Sequence, residues 1–309
     1  MEVPMRKHKK SNPILTIINW LLILAILICL SFAAYFYLTK SNSQTSNSQM
    51  SSQTSSQATE SSSSSQDQTT SDDSQVDWIK QDTTVKFPIL MYHAIHVMAA
   101  EESANANLIV DPTTFESEIK ALVDAGYYFL SPEEAYKVLT ENVLPNGNNK
   151  IVWLTFDDSL WDFYSNAYPI MKKYGVKATS FAITGYVQNS TTGYYTPEQM
   201  LEMESNRMSI ESHTVNHPDL EVSSSDSQAS EMSNSDDYLQ STLNKDVIAI
   251  AYPAGRYSDT TLSLAANNYS LGVTTNEGLA SADNGLLSLN RVRILPTTTA
   301  ESLLQQIAN

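Results

Sequence analysis

Ile151-Val152-Trp153-Leu154-Thr155-Phe156-Asp157-Asp158 runs an apolar stretch directly into two carboxylates. Short apolar runs rich in β-branched and aromatic side chains predict a buried strand, here with the acidic pair at its end. A second stretch, Ser212-His213-Thr214-Val215-Asn216-His217-Pro218, sets two imidazoles four residues apart just after a strand-like run at 208–211. One carboxylate and two imidazoles make a facial set of three protein ligands. That leaves positions open for water, the arrangement catalytic zinc and related divalent metals use. The spare carboxylate beside them is placed to accept a proton from the attacking water.

Strand-like and helix-like segments alternate outward from this point. Strands are expected at 87–92, 127–130, 151–156, 178–183, 208–211, 247–251 and 271–274. Helices are expected at 112–124, 132–139, 163–174, 197–204, 227–243 and 260–267, the second capped by Ser131. This alternation implies an α/β domain with a parallel sheet, open or closed into a barrel.

Thr155-Phe156-Asp157-Asp158 followed by His213-Thr214 and His217-Pro218 resembles the polysaccharide deacetylase family, the NodB-homology carbohydrate esterases. Pro88-Ile89-Leu90-Met91-Tyr92-His93, the run at 168–179 and Ala251-Tyr252-Pro253-Ala254-Gly255 fit the same family in the same order, so the likeness covers about 87–295. The resemblance implies a distorted, incomplete (β/α) barrel of seven or so strands, with working residues where strands end. It also implies removal of acetyl groups from N-acetylated sugars. Asp158, His213 and His217 would then hold a divalent metal, zinc being the expected ion, and Asp157 would be the base. Tyr252, Pro253, Ala254 and Gly255 would meet the substrate or its oxyanion, through a backbone N–H near Ala254 because Pro253 has none.

Two departures from the family pattern stand out. Many relatives carry a late general-acid histidine, but among His8, His93, His96, His213 and His217 none follows His217, and Ile294-Leu295-Pro296 has no imidazole. Ala251 stands where many relatives have an arginine that orients the base. Both losses, with Met91-Tyr92-His93, resemble the poly-N-acetylglucosamine deacetylase branch, in which the early histidine is the natural acid. His93 is therefore expected to act as the acid, and His96 to matter much less. Arg256 is the expected stand-in for the arginine, or simply exposed. Ser159 replaces a common glycine, and Asp259, Asp283 and Arg291 are candidates for supporting the site's residues, with no distinguishing context. Trp153, Trp161, Tyr194 and Tyr195 are sugar-stacking or core aromatics, and Glu211 pairs structurally.

Composition bounds the rest. Residues 14–38 are an apolar run preceded by Arg6, Lys7, Lys9 and Lys10 and followed by Lys40. A single transmembrane anchor with a cytoplasmic basic tail (1–13) and an extracellular C-terminal domain is expected; a cleaved signal peptide is the alternative. Residues 39–75, almost all Ser, Gln, Thr and Asn, are expected to be a disordered linker, leaving 76–309 as the deacetylase domain. Residues 1–75 hold five basic and five acidic side chains, so the whole net charge of −16 falls on that domain. Nucleic acid is excluded as a partner by that balance. N-acetylated polysaccharide and, through the anchor, the membrane are the expected partners of a monomeric ectodomain. The only cysteine, Cys29, lies in the apolar run, so no disulfide staples the domain. A wall-binding module that has lost catalysis is the alternative function. A glycosidase is not, because its two carboxylates must flank a sugar ring, and neighbouring strand-end residues point apart.

Overall fold

The computed structural model describes residues 76–308; the expected tail, anchor and linker lie outside the described residues. Among those described, no helix is long and apolar enough to cross a membrane.

Seven parallel strands carry the fold: β1 Ile89–Tyr92, β2 Ile151–Phe156, β3 Ala178–Ala182, β4 Met208–Ser212, β5 Ala249–Ala251, β6 Leu271–Glu277 and β7 Leu289–Arg293. They neighbour one another in chain order, and β7 returns to β1. The barrel is distorted as expected, but it is not incomplete. β1 pairs along its whole length with β2, from Ile89 opposite Trp153 to Tyr92 opposite Phe156, and so closes the ring. Distortion enters at two seams: β4 and β5 meet only at Ser212 and Ile250, and β6 and β7 shift register between Val273 and Glu277. Tyr128–Phe129 adds a short strand outside the ring on β2.

The strands are buried on both faces, which is why they read as continuous apolar runs. Along β2, Ile151 and Trp153 join the apolar interior of the barrel, while Val152, Leu154 and Phe156 pack outward with Phe115, Ile119 and Leu122 of the helix Pro112–Asp124. A period of two along each strand also fixes which strand-end side chains face inward. The inward parity of β2 continues to Asp157, that of β1 (Ile89) to His93, and that of β7 (Leu289) to Arg291.

Most boundaries fall within a residue or two of expectation. The helix Pro132–Glu141 starts on a capping box in which the Ser131 Oγ accepts from the Glu134 N–H. The expected strand at 87–92 is split by Pro88: Lys86–Phe87 pairs instead with Ala280–Ser281. The expected helix at 163–174 is also two pieces, a π-turn at Phe163–Ala167 and an α-helix at Tyr168–Tyr174. Pro169 has no N–H to return to the preceding turn, and the widened turn absorbs that loss.

The sequence expectation ended the series at β6 and missed β7 and the closing helix Ala300–Gln306. Leu289-Asn290-Arg291-Val292-Arg293 does not look like a buried strand because a full positive charge faces the barrel interior.

Candidate active site

Asp158, His213 and His217 converge at one end of the barrel, with one donor atom from each lying within 4.8 Å of the others. The His213 and His217 Nε2 atoms stand 3.4 and 3.5 Å from Asp158 Oδ1. Two ligands each about 2.0–2.1 Å from a tetrahedral ion stand roughly 3.4 Å apart, so the spacing fits a shared cation better than direct hydrogen bonds. His213 Nδ1 lies 2.7 Å from the Ala251 carbonyl, which accepts its proton and leaves the Nε2 lone pair facing Asp158. Burial pulls His213 down, but Asp158 and Asp157 together lift it above its ordinary pKa. Burial and His213 hold His217 below its own.

The backbone is unusual here. Asp158, Ser159, Thr214, His217 and Ala254 all have left-handed φ, at 75°, 54°, 65°, 56° and 51°. Such conformations cost energy in non-glycine residues and gather at functional sites. Ser159, standing where glycine is common, is held by two bonds: its Oγ accepts from the Ile183 N–H and its carbonyl from the Tyr195 N–H.

Asp157 is almost fully buried and faces Arg291 rather than the metal ligands. The Arg291 guanidinium donates to Asp157 Oδ1 at 2.8 Å and Oδ2 at 2.7 Å, a bidentate pair. Arg291 is itself fully buried and donates further to the Thr274 carbonyl and Thr155 Oγ1. Burial alone would raise Asp157, but Arg291 outweighs it and holds the carboxyl far below the usual range.

The arginine missing at Ala251 is therefore supplied by β7. Arg256 does not replace it but is exposed, the other expectation, and pairs with Asp219 and Glu221 at the surface. The only signal in the sequence was a basic residue set between Leu289 and Val292, and it becomes meaningful once β7 is known to be a barrel strand.

His93 Nε2 lies 3.8 Å from Asp157 Oδ2, so the early histidine reaches the site. Burial lowers its pKa against the pull of Asp157 and Asp158. His96 turns away to Asp162 and Glu102.

Of the four residues expected at the substrate or oxyanion, Ala254 is exposed at the rim, lining a hollow with His217 and Arg256. Tyr252 does not present its side chain there: it is buried, stacks on Tyr257, and its hydroxyl donates to the Leu287 carbonyl. Pro253 is buried, and Gly255 has φ 68° with Thr275 against it, where a Cβ would meet Thr275 Oγ1 at 2.0 Å. Trp153 and Tyr195 are core residues, whereas Trp161 is about half exposed beside the site. Glu211 pairs with Lys245 and accepts from the Ile248 and Ala249 N–H groups.

A closed parallel barrel whose strand ends gather three side chains that could hold a metal ion, a buried Asp–Arg pair and a histidine fits a hydrolase-type centre. Comparison with known proteins narrows the class. The polysaccharide deacetylase family model matches residues 145–273. The Bacillus subtilis protein named "Putative polysaccharide deacetylase YxkH" is 41% identical over 220 residues, covering 71% of this chain and 75% of that one. The poly-beta-1,6-N-acetyl-D-glucosamine N-deacetylase of Staphylococcus epidermidis is 29% identical over 201 residues, 61% of this chain and 68% of its own. Among solved structures, the Streptococcus pyogenes deacetylase PplD in complex with acetate is 60% identical, with a TM-score of 0.71, and covers 74% of this chain and 100% of its own. The chain belongs to the polysaccharide deacetylase family.

Proposed function

We propose that this protein is a metal-dependent N-deacetylase acting on N-acetylglucosamine residues of a cell-surface or wall polysaccharide, poly-N-acetylglucosamine or peptidoglycan. The observation that carries the reading is the ordered pair of sites: a cation site made by Asp158, His213 and His217, with the Asp157–Arg291 pair and His93 directly behind it. A divalent ion bound there, zinc by its ligand set, supplies Lewis-acid polarisation of the acetyl carbonyl and makes water easier to ionise.

The chain's own residues do the rest. Arg291 keeps Asp157 ionised and fixes both its oxygens, so the carboxylate is always ready to take the proton of the attacking water. The Ala254 N–H, at the rim beside His217, would face the developing oxyanion. His93, kept neutral by burial, would receive from Asp157, 3.8 Å away, the proton taken from the attacking water and deliver it to the departing nitrogen, because an unprotonated amine leaves poorly. The products are acetate and a glucosamine that carries positive charge.

Arg291 supports an active enzyme over a wall-binding module without catalysis, because it restores the orienting cation whose absence had favoured the module. The membrane anchor at 14–38, the cytoplasmic tail and the 39–75 tether complete the proposal, placing the 76–309 domain at the outer cell surface.

Acetate release from each polymer, measured for the parent, Asp157→Asn and His93→Ala, tests the reading. Both variants should retain metal and fold, yet lose about 10²–10⁴-fold in kcat. Near-parental rates in both would refute the assignment of base and acid.

A further inference from the structure

Beside Asp158 and His93 lies a cleft of about 550 Å³. A second hollow of about 420 Å³ is lined by His217 and Ala254. The first sits over β1 and β2 and the second over β4 and β5, on opposite sides of a seven-strand ring. A chain whose acetyl group meets the cation site thus has room to extend both ways. Two clefts of this size are each within the roughly 300–1,000 Å³ of small-ligand sites.

The outer wall of the first cleft is unusual. It is formed in part by the segment Ala100–Leu108, none of whose residues is buried. Apolar packing therefore does not hold it down. At one end Ile109–Val110 pairs with Ala94–Ile95. At the other, His96 Nε2 stands 3.1 Å from both Glu102 oxygens, and His96 Nδ1 stands 2.6 Å from Asp162 Oδ2. Glu102 also accepts from the Ala99 N–H at 2.7 Å. Asp162 immediately precedes the π-turn that leads away from β2. Ionised carboxylates only accept, so an imidazole bonded to one through each nitrogen must donate from both and carries a charge.

We propose that His96 is a positioning residue: bridged between Asp162 and Glu102, it straps the Ala100–Leu108 segment down as the outer wall of the cleft and so sets how tightly a polysaccharide chain is held beside the reacting sugar. The proposal rests on the deacetylase reading for its substrate, but the strap itself does not. Burial pulls His96 down, yet its bonds to Asp162 and Glu102 lift it above its ordinary value. With the folded pKa raised, the charged bridge is complete below the ordinary histidine range and is lost as pH rises through the lifted value. On the acid side the limit is Asp162, whose burial lifts its carboxyl. The other titratable groups facing this cleft are His93 and Asp158.

The test compares the metal-loaded parent with His96→Ala and His96→Arg in two measurements. Amide hydrogen exchange across 99–108 reads the strap without any turnover. Acetate release from a β-linked N-acetylglucosamine hexamer and from the single sugar reads its effect.

His96→Ala should speed exchange across 99–108 about tenfold or more, the scale of one charge-assisted hydrogen bond. It should raise KM for the hexamer by a similar factor, leave kcat within about threefold, and leave the single sugar unaffected. The parent should show the same rise in exchange and KM at alkaline pH. His96→Arg, which keeps a cation between the two carboxylates, should restore both values and abolish the alkaline rise.

Unchanged exchange in His96→Ala overturns the strap. Faster exchange with an unchanged hexamer KM, or with a fall in kcat alone, overturns its role in holding the chain. If the parent releases no acetate from any polymer, the deacetylase reading fails separately, and exchange still decides the strap.

Discussion

Asp157 depends on Arg291 for both its charge and its aim. Removing one partner of a buried ion pair costs about 3–5 kcal/mol, because the other is left uncompensated. Arg291→Met should lower stability on that scale, and Arg291→Lys less, since an ammonium cannot make the bidentate fork. The sign of the pH effect comes from the depressed carboxyl. With Arg291 present, Asp157 stays ionised until strong acid; without it, burial raises the carboxyl and the proton returns at higher pH. The acid limb of the pH–rate profile in either variant should therefore move up, and an unmoved limb would show that Asp157 is not the base. That Asp157, Asp158, His213 and His217 stand at strand ends, the last three grouped together, was legible in the sequence because they come directly after strand-like runs. Arg291 was one of three candidates for a supporting role, but its pairing with Asp157 was not legible, because an inward-facing arginine erases the apolar pattern that marks its strand.

Among the elements, those with uninterrupted patterning were legible: Pro112–Asp124, Ile151–Phe156 and Pro197–Glu204 match the expected limits. Those interrupted by proline were not, since Pro88 and Pro169 each divide what the apolar pattern joined. Ring closure also escaped, because pairing of the first strand with the second is a property of shear and tilt rather than of any one segment. The Pro253–Gly255 turn tests whether backbone shape at a strand end matters for chemistry. In Gly255→Ala the left-handed backbone costs about 1–2 kcal/mol, and the new Cβ also overlaps Thr275, which must displace the Ala254 N–H. Gly126→Ala is the control, having a similar φ of 79° but nothing within 4 Å of its Cβ. Chemical denaturation should find both destabilised, Gly255→Ala more so, while kcat should fall only in Gly255→Ala. Equal kcat values would remove Ala254 from the oxyanion role.

For the molecule as a whole, buried carboxyls tie stability to pH: burial pushes Glu211 up to about 7, and Glu118 is lifted further. Glu118 is fully buried, accepts from the Tyr92 hydroxyl at 3.0 Å, and is pushed up to about 8 by desolvation. Between the ordinary carboxylate range and that value the folded chain holds a proton that the unfolded chain has released, so stability falls as pH rises across this window. The loss is on the order of a few kcal/mol. The thermal midpoint should drop between about pH 5 and pH 8, and Glu118→Gln should lessen that drop, leaving the share due to Glu211. A parent midpoint independent of pH over this range would mean Glu118 is ionised in the folded protein.

The central claim concerns the reaction itself, and acetate counted against new free amines on poly-N-acetylglucosamine and on peptidoglycan tests it most directly. The zinc-loaded protein should release the two in equal amounts from at least one polymer, with activity lost on chelation and regained on adding zinc back. Metal-loaded, folded protein that releases neither product from either polymer would contradict the account.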